Sequence, residues 1–317
     1  MASDSVSNKV MANQAPETNV VTGALSYTGK HITQRLLALG KQVMTLTGHP
    51  RRPNPFGRRV SVATYAFDDP SKLVGSLEGA TTLYNTYWVR FPYGGMTFEK
   101  AVENSIALIR AAEEAGLRRI VQISITHASE GSPFPYFRGK GLVDKAIQNS
   151  KLSYAILRPT VLFGHDDILI NNIAWFLRRF PVFGIFGSGK YLVQPVHVED
   201  LAELAVQAGH REDNLIMDVA GPETYTFEDL VRVVARSVRS KARIIHLRPR
   251  LAFLLIKLLG YLLHDVVLTW EEVQGLMANL LASDGPPTAP THFSQWLDEH
   301  AGKIGKRYAS ELARHYR

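Results

Sequence analysis

The stretch Val20-Val21-Thr22-Gly23-Ala24-Leu25-Ser26-Tyr27-Thr28-Gly29 lies near the start of the chain and decides its fold. An apolar run typical of a buried strand ends in Thr22-Gly23, and an amphipathic segment begins at Gly29. A strand, a glycine turn and a helix in this order can hold a diphosphate, because backbone N–H groups and the positive helix end point at the anion. The apolar run 42–46 follows and completes a strand–helix–strand unit. A structural turn that binds nothing is the alternative interpretation.

Strand-like and helix-like segments alternate from residue 19 to about residue 160. In the first helical segment Ile32, Leu36 and Leu39 recur at the period of an α-helix. This alternation predicts an α/β fold of the Rossmann type, a doubly wound parallel sheet with helices on both faces. Ligands of such folds bind at the carboxyl ends of the strands. The predicted strands are 19–22, 42–46, 60–65, 81–85, 120–125 and 153–157.

The pattern loosens after residue 160, with too little regular alternation for a second independent domain. We therefore expect one domain over residues 19–285, in which a small C-terminal substrate lobe covers about 165–285. Within the lobe, 216–220 and 244–247 are predicted strands, and Thr226 begins a helix through a capping box with Asp229. Residues 1–18 are expected to be a disordered tail, and residues 286–317 a polar helical appendage.

The composition is that of an ordinary soluble protein of 317 residues, with 45% apolar and 21% charged residues. The chain has no cysteine, which excludes disulfides, thiolate metal sites and cysteine nucleophiles. Its formal charge of +7 suits an anionic ligand but is too small to indicate a nucleic-acid partner. The first 18 residues lack a signal-peptide core, so we expect a cytoplasmic protein.

The most apolar segment, residues 251–263, is too short to cross a bilayer, so no transmembrane segment is expected. Arg248 and Arg250 precede it, and a helix on a membrane surface is one interpretation. A helix packed over the substrate side of the fold is the interpretation that we favour.

Tyr136 and Lys140 are four residues apart and share a face if the segment is helical. A tyrosine has an ordinary pKa of about 10, which a nearby ammonium lowers. The phenol can then exchange a proton with a carbonyl or carbinol oxygen while hydride moves. The lysine can also hold the nicotinamide ribose. We therefore expect Tyr136 and Lys140 to be catalytic, with Lys140 also binding the cofactor.

Four segments together resemble the short-chain dehydrogenase/reductase superfamily over about residues 19–247. They are Thr22-Gly23-Ala24…Gly29, Tyr136…Lys140, Leu157-Arg158-Pro159-Thr160-Val161-Leu162-Phe163-Gly164 and Val196-His197-Val198-Glu199-Asp200-Leu201-Ala202. The resemblance is to the extended and atypical branch, which includes NAD(P)-binding epimerase/dehydratase-like, NmrA-like and complex-I-accessory-subunit-like proteins. It implies that Pro159, Thr160 and Val161 lie beside the nicotinamide, and that Asn85 and Thr86 lie along the cofactor's ribose side. The cofactor turn is then formed by Gly23, Leu25, Ser26, Tyr27, Thr28 and Gly29.

Three positions depart from the family pattern. Ser26 replaces a glycine of the turn. Ala66 stands where an aspartate often binds the adenine, so Phe67 and Asp68 are expected to rebuild that site. Ile125 stands where the family places a catalytic Ser or Thr, and its neighbours Ser124 and Thr126 are the candidates to replace it.

The residues after the second strand favour NADP(H) over NAD(H). No carboxylate stands there to bind a ribose diol, whereas His49, Arg51 and Arg52 follow directly. Guanidinium groups suit a 2′-phosphate through paired, charge-assisted hydrogen bonds. A solvated basic loop is the alternative interpretation.

The sequence therefore predicts an NAD(P)-dependent oxidoreductase that moves hydride between nicotinamide and a carbonyl or secondary alcohol. The aromatic residues around Tyr84-Asn85-Thr86-Tyr87-Trp88, with Phe91, Tyr93, Trp175 and Phe176, predict a small, partly apolar substrate. An epimerase or dehydratase is a variant, and a non-catalytic NAD(P)-binding regulatory or assembly protein is the alternative. The histidines form no metal-binding motif, so no metal is expected, and the resemblance implies a homodimer.

Overall fold

The computed structural model describes residues 17–316 of the chain. Its strands are β1 (Thr18–Thr22), β2 (Gln42–Thr47), β3 (Val60–Thr64), β4 (Ala80–Asn85), β5 (Arg119–Ile123), β6 (Ser153–Pro159), β7 (Val161–Phe163), β8 (Val182–Phe186), β9 (Leu192–Val193), β10 (Pro195–His197), β11 (Leu215–Val219), β12 (Tyr225–Thr226) and β13 (Arg243–Leu247). Its helices are α1 (Tyr27–Ala38), α2 (Pro70–Gly75), α3 (Phe98–Glu114), α4 (Pro135–Gln148), α5 (Leu169–Arg179), α6 (Val198–His210), α7 (Phe227–Ser237), α8 (Pro249–Leu263), α9 (Trp270–Met277), α10 (Phe293–His300) and α11 (Glu311–His315).

Seven strands form the main sheet in the order β11-β6-β5-β4-β1-β2-β3. All of its strand pairs are parallel, as the alternating sequence predicted. The strand order reverses between β1 and β4, and a crevice forms at the carboxyl ends of strands where this happens. The predicted Rossmann-type sheet is therefore confirmed, and the β1–α1 turn lies at the edge where a ligand would bind.

Two apolar layers hold helices against the two faces of this sheet. On one face, Leu36 of α1 and Ala205 of α6 pack against strand residues such as Val21. On the other face, Leu108 of α3 and Val143 of α4 pack against a second set of buried strand residues. Helices on both faces explain why the central strands β1, β4 and β5 are buried along almost their whole length.

The C-terminal lobe has its own apolar core, formed mainly by α5, α7 and α10. Short strand pairs, β8 with β13 and β9 with β12, lie alongside these helices. Thr226 begins α7 as predicted, because its hydroxyl accepts a hydrogen bond from the Asp229 N–H at 3.1 Å.

Both ends of the chain differ from expectation where the structure describes them. Thr18 already belongs to β1, and the carboxylate of Glu17 pairs with Lys41 at 2.9 Å, so these residues are not part of a disordered tail. Residues 1–16 of the predicted tail lie outside the described range. At the other end, Phe293 and Trp296 of α10 are buried in the core of the lobe. The segment expected as a polar appendage therefore contributes apolar residues to the lobe.

Helix α8 packs through one face only. Ala252 is buried, and Phe253 and Ile256 pack against Phe186 and Val273. The leucines on its other face are exposed, so the favoured interpretation of a packed helix holds for one face of α8 only. Across residues 17–316, we find no helix with the length and apolar character that crossing a membrane requires.

Candidate dinucleotide and active site

The turn between β1 and α1 is built on two glycines. Gly23 adopts a φ of +67°, a left-handed conformation that strains other residues. Gly29 has no such φ, but a Cβ there would lie 2.2 Å from the carbonyl oxygen of Gly23. The turn is fixed to the sheet because the Ala24 N–H donates to the Thr45 hydroxyl at 3.0 Å. This close packing of turn on helix requires glycine at both positions.

Ser26 fits the turn without strain, although the family pattern has glycine there. Its φ is −100°, and its hydroxyl donates to the Gly23 carbonyl at 2.6 Å. Ser26 makes no side-chain cap to the first turn of α1. The first N–H groups of a helix have no intrahelical acceptor, so those of Tyr27, Thr28 and Gly29 can bind an anion.

A cavity of about 670 Å³ opens at this turn, at the carboxyl edge of the sheet. Eight of the predicted site residues line it, namely Gly23, Leu25, Ser26, His49, Arg52, Phe67, Thr86 and Tyr136. The cavity thus joins the glycine turn to the candidate catalytic tyrosine. Its volume lies in the range of small-ligand and cofactor sites.

Three aromatic side chains form one wall of the cavity. Tyr65 stacks on Phe67 with ring centroids 4.8 Å apart, and Tyr87 lies 5.2 Å from each. A flat apolar wall at this position suits an adenine ring. Asp68 is exposed and does not line the cavity, so only the Phe67 part of the predicted adenine site is present.

The end of β2 contributes Thr47, Gly48, His49 and Arg52 to the cavity. No carboxylate is among the lining residues, and partial burial lowers the pKa of the Arg52 guanidinium. Arg51 is exposed and lies outside the lining. Of the two predicted arginines, the structure therefore brings only Arg52 to the cavity.

A buried polar network joins β1, β4 and β5 beneath the cavity. The Asn85 amide accepts from the Thr22 hydroxyl at 3.0 Å and donates to the Gln122 amide at 2.7 Å. Thr86 lines the cavity, and its hydroxyl donates to the Thr22 carbonyl at 2.5 Å. Asn85 therefore positions the strand ends rather than facing the cavity as expected.

Tyr136 lies in the first turn of α4, with its ring against Trp88 and Phe98. Burial raises the pKa of its phenol, and the carboxylate of Glu272 raises it further. The expectation that Lys140 lowers this pKa is therefore wrong for the present geometry. A phenol with a raised pKa stays neutral at pH 7, so it can donate a hydrogen bond to a substrate oxygen, but it is a weaker acid than an ordinary tyrosine.

Lys140 is buried on the same helix, but its ammonium is directed elsewhere. Its Nζ donates to the Ile123 carbonyl at 2.8 Å and lies 4.8 Å from the centre of the Trp88 ring. Burial lowers the pKa of Lys140, and the nearby carboxylate of Asp144 opposes that shift. Trp88 thus contacts both predicted catalytic side chains, and Lys140 does not line the cavity.

The two hydroxyls expected to replace the family's Ser or Thr do not reach the cavity. Ser124 is buried beside the carboxylate of Asp144. Thr126 is also buried, and its hydroxyl donates to the Asp218 carboxylate at 3.0 Å. Strand β5 ends at Ile123, so the alternation used to place both hydroxyls on one face does not extend to them.

Several other residues expected at the cofactor are buried away from the cavity. Pro159, Thr160 and Val161 are buried, and none of them lines it. The Tyr27 side chain points into the lobe, since a Cβ at Gly164 would lie 2.7 Å from its hydroxyl. Arg314 of α11 lies over the Tyr27 ring, 5.6 Å from its centre.

Sequence reasoning missed a cluster that closes one side of the cavity. Arg90, after β4, pairs with the carboxylates of Glu272 and Glu311, the latter at 2.8 Å. Tyr316 lines the cavity and its hydroxyl donates to the Phe91 carbonyl at 2.9 Å. The position of Arg90 shortly after β4, a central strand, is the sequence signal that could have identified it as a site residue. Tyr316 carried no local signal.

Only some of the aromatic residues that were expected to surround a substrate line the cavity. Tyr87, Trp88 and Tyr93 line the cavity. Tyr84, Phe91, Trp175 and Phe176 do not line it. Among residues 17–316, no group of three or more histidines or carboxylates is arranged to hold a metal ion.

A family model described as NAD(P)H-binding matches residues 23–171, which span the glycine turn, Tyr136 and Lys140. This match overlaps three of the four sequence segments described above, and the observed strand order agrees with the fold that they imply. Together the match and the strand order support the predicted resemblance to the extended branch of the short-chain dehydrogenase/reductase superfamily.

The chain is similar to curated proteins that are named as mitochondrial NADH dehydrogenase subunits. It is 26% identical over 240 residues to subunit 9 of the NADH dehydrogenase [ubiquinone] 1 alpha subcomplex of Arabidopsis thaliana. That alignment covers 72% of this chain and 59% of the relative. The chain thus spans about three fifths of the length of this relative.

Solved structures share the fold of this chain at low sequence identity. A nucleoside-diphosphate-sugar epimerase from Staphylococcus aureus is 14% identical, with a TM-score of 0.70 over 89% of this chain and 99% of that one. The triphenylmethane reductase of Citrobacter sp., solved with NADP(H), is 17% identical, with a TM-score of 0.66 over 90% and 99%.

The residues present fit a dinucleotide at two of its three parts. The Gly23–Gly29 turn and the uncapped start of α1 suit the diphosphate, and the aromatic wall suits the adenine. At the third part, the buried indole N–H of Trp88 has no hydrogen-bond partner among residues 17–316. Trp88 lines the cavity, but this N–H is itself buried, so we assign it no ligand contact.

Proposed function

We propose that this chain is an NADP(H)-dependent oxidoreductase acting on a carbonyl or secondary alcohol of a small, partly apolar substrate. The supporting observation is that Tyr136 and the glycine turn, although distant in sequence, line one cavity. A nicotinamide nucleotide bound at the turn would supply the hydride. The proposal includes a cytoplasmic location and a homodimer, which cell fractionation and light scattering test.

In this proposal, Tyr136 donates the proton to the carbonyl oxygen of the substrate. A phenol is protonated at neutral pH, so Tyr136 can donate its proton to a carbonyl oxygen as that oxygen gains charge. Tyr87, Trp88 and Tyr93 line the same cavity and present aromatic rings to a bound substrate. Lys140 contacts the Trp88 ring and orients it beside the tyrosine. Lys140 is therefore a positioning residue in this geometry.

Arg52 supports the preference for NADP(H). It lines the cavity near the end of β2, where no lining residue carries a negative charge that would repel a 2′-phosphate. Arg52→Ala should weaken NADPH binding by about tenfold or more while NADH binding changes little. Arg51→Ala is the matched control, because Arg51 is exposed and outside the cavity. Equal losses for both nucleotides would contradict the 2′-phosphate assignment.

Tyr136→Phe tests the redox assignment. The substitution should abolish NADPH oxidation by a carbonyl substrate, by about a hundredfold or more, and leave nucleotide affinity unchanged. Tyr154→Phe, in β6, is the matched control because Tyr154 does not line the cavity. Full activity of the Tyr136→Phe variant would overturn the assignment.

A specific observation favours a second candidate, a nucleotide-binding protein that does no chemistry. The Lys140 ammonium is engaged by the Ile123 carbonyl, and neither Ser124 nor Thr126 reaches the cavity. In this case a broad panel of carbonyl compounds would fail to oxidise NADPH, and Tyr136→Phe would alter partner binding only. An epimerase or dehydratase is a variant of the first candidate and would show transient reduction of bound nucleotide.

A further inference from the structure

Helix α8 presents an exposed apolar face outside the proposed active site. Its exposed large side chains are Leu251, Leu254, Leu255, Leu258, Tyr261 and Leu262. Their spacing of three and four residues places them along one face of a helix of 15 residues, about 22 Å long. Leu254 is 62% exposed, Leu262 66% and Tyr261 80%. A row of this kind on a soluble chain marks a binding surface rather than scattered exposure.

The opposite face of α8 anchors the helix to the lobe. Ala252 and Gly260 are buried, and a Cβ at Gly260 would lie 2.7 Å from the Asp265 carbonyl oxygen. The helix begins at Pro249, which directly follows the exposed Arg248. The apolar row is therefore held facing outward by close packing behind it.

The sequence around the apolar row carries only positive charge. Residues 239–264 contain six lysines and arginines and no aspartate or glutamate. Arg248, Arg250 and Lys257 are exposed, and none of them has an ion pair within residues 17–316. Cationic side chains beside a leucine-rich helix complement a surface that combines hydrocarbon with negative headgroups.

We propose that α8 binds the surface of an anionic lipid bilayer, with its leucines among the acyl chains and its cations at the phosphates. A second copy of the chain is a poorer occupant, because a twofold contact would place the same cations against each other. The whole row belongs to one helix, which can lie in the plane of a bilayer surface and insert its apolar face. Tyr261 stands at the end of the row, as interfacial tyrosines do.

Co-sedimentation of the full chain with vesicles tests this proposal. The chain should bind vesicles of phosphatidylcholine with about a third phosphatidylglycerol, and bind vesicles of phosphatidylcholine alone much more weakly. The variant Leu254→Ser/Leu258→Ser/Leu262→Ser should lose about a hundredfold or more in affinity, because each buried leucine contributes strongly. The variant Arg248→Glu/Arg250→Glu/Lys257→Glu should lose the preference for anionic vesicles.

A control pair separates the α8 face from exposed apolar residues in general. Leu39 is 53% exposed and Ile216 is 41% exposed, and both belong to the main-sheet region. Leu39→Ser/Ile216→Ser should leave vesicle binding unchanged. Circular dichroism and nucleotide binding should be unchanged in every variant, because all the substituted side chains are exposed and outside the cavity.

Two results would overturn the proposal. The first is that the wild-type chain stays in the supernatant with both kinds of vesicle. The second is that light scattering shows a dimer without lipid which the triple serine variant alone abolishes, since the face would then bind a second copy. Neither result depends on whether the chain oxidises NADPH, so this test is independent of the proposed function.

Discussion

At the scale of single residues, the site depends on how closely the backbone of the turn approaches the first helix. Gly29 leaves no room for a Cβ beside the Gly23 carbonyl, whereas Ser26 occupies an ordinary extended conformation. Serine in place of the family's glycine at position 26 therefore introduces little backbone strain into the turn. Glycine is therefore needed more strictly at position 29 than at position 26. The reason at position 29 is a steric contact of the added Cβ, not a backbone conformation that only glycine adopts.

Gly29→Ala should destabilise the chain by about 1–3 kcal/mol, because the new methyl group forces the turn away from α1. It should also weaken nucleotide binding, since the N–H groups of the turn lose their alignment. Gly75→Ala is the matched control, because a Cβ at Gly75 in α2 meets nothing within 4 Å. Urea unfolding and calorimetric titration measure the two effects. A Gly29→Ala variant as stable as the Gly75→Ala variant would contradict this packing.

Lys140 gives the second residue-scale prediction, which concerns pH. Burial lowers its folded pKa below the ordinary value of 10.5, so the unfolded state binds more protons and stability rises with pH through this window. Lys140→Met removes that dependence. The variant should gain most over wild type below the lowered pKa, and the gain should shrink as pH approaches 10.5. Urea unfolding at several pH values measures it, and a gain that grows with pH would contradict a buried ammonium.

At the scale of elements, the sequence predicted the strands well because each buried strand contains a short apolar or β-branched run. β2 and β4 differ from their predicted ranges by one residue at one end. The chain's C-terminal part was less predictable, although Phe293, Trp296 and Leu297 already had helical spacing. Charged neighbours concealed that pattern, and only the lobe's core supplies its partners.

The direction of side chains was the least predictable part of the site. Tyr136 and Lys140 share α4 as expected, yet Lys140 is directed to Ile123 by the way that α4 packs on β5. Spacing along a helix fixes which residues share a face, but the neighbouring elements decide which atoms they contact. The side chains of the two arginines after β2 also point in different directions. Arg52 lines the cavity, whereas Arg51 is exposed to solvent.

The ion-pair cluster that fastens α9 and α11 beside the cavity gives the element-scale prediction. Glu311 is 2% exposed and pairs with Arg90, so Arg90→Met removes a cation from a buried carboxylate and should cost about 3–5 kcal/mol. Arg90→Met combined with Glu311→Gln should cost less than the sum of the single changes, because the buried charge is removed too. A double-mutant cycle in urea measures this.

The exposed pair of Arg35 with Glu203 is the control for that cycle. Arg35→Met should change the free energy of unfolding by less than about 1 kcal/mol. Additive costs for Arg90→Met and Glu311→Gln would show that the two groups do not interact.

At the scale of the whole molecule, a dinucleotide-binding sheet carries a lobe whose C-terminal helices return to the cavity. Tyr316 lines that cavity and Arg314 lies over Tyr27, so residues near the end of the chain help to close a site built near its beginning. The lobe also carries the basic, apolar face of α8. We infer that the molecule binds a nucleotide in the cavity and a lipid bilayer at the exposed face of α8.

The proposed function depends most directly on the binding of a nicotinamide dinucleotide at the Gly23–Gly29 turn. Titration calorimetry of the full, folded chain with NAD⁺, NADH, NADP⁺ and NADPH measures this. We expect saturable binding of one molecule per chain, tightest for the phosphorylated pair, and competition among the four for a single site. Absence of binding heat with all four nucleotides, in protein shown to be folded by circular dichroism, would contradict the account.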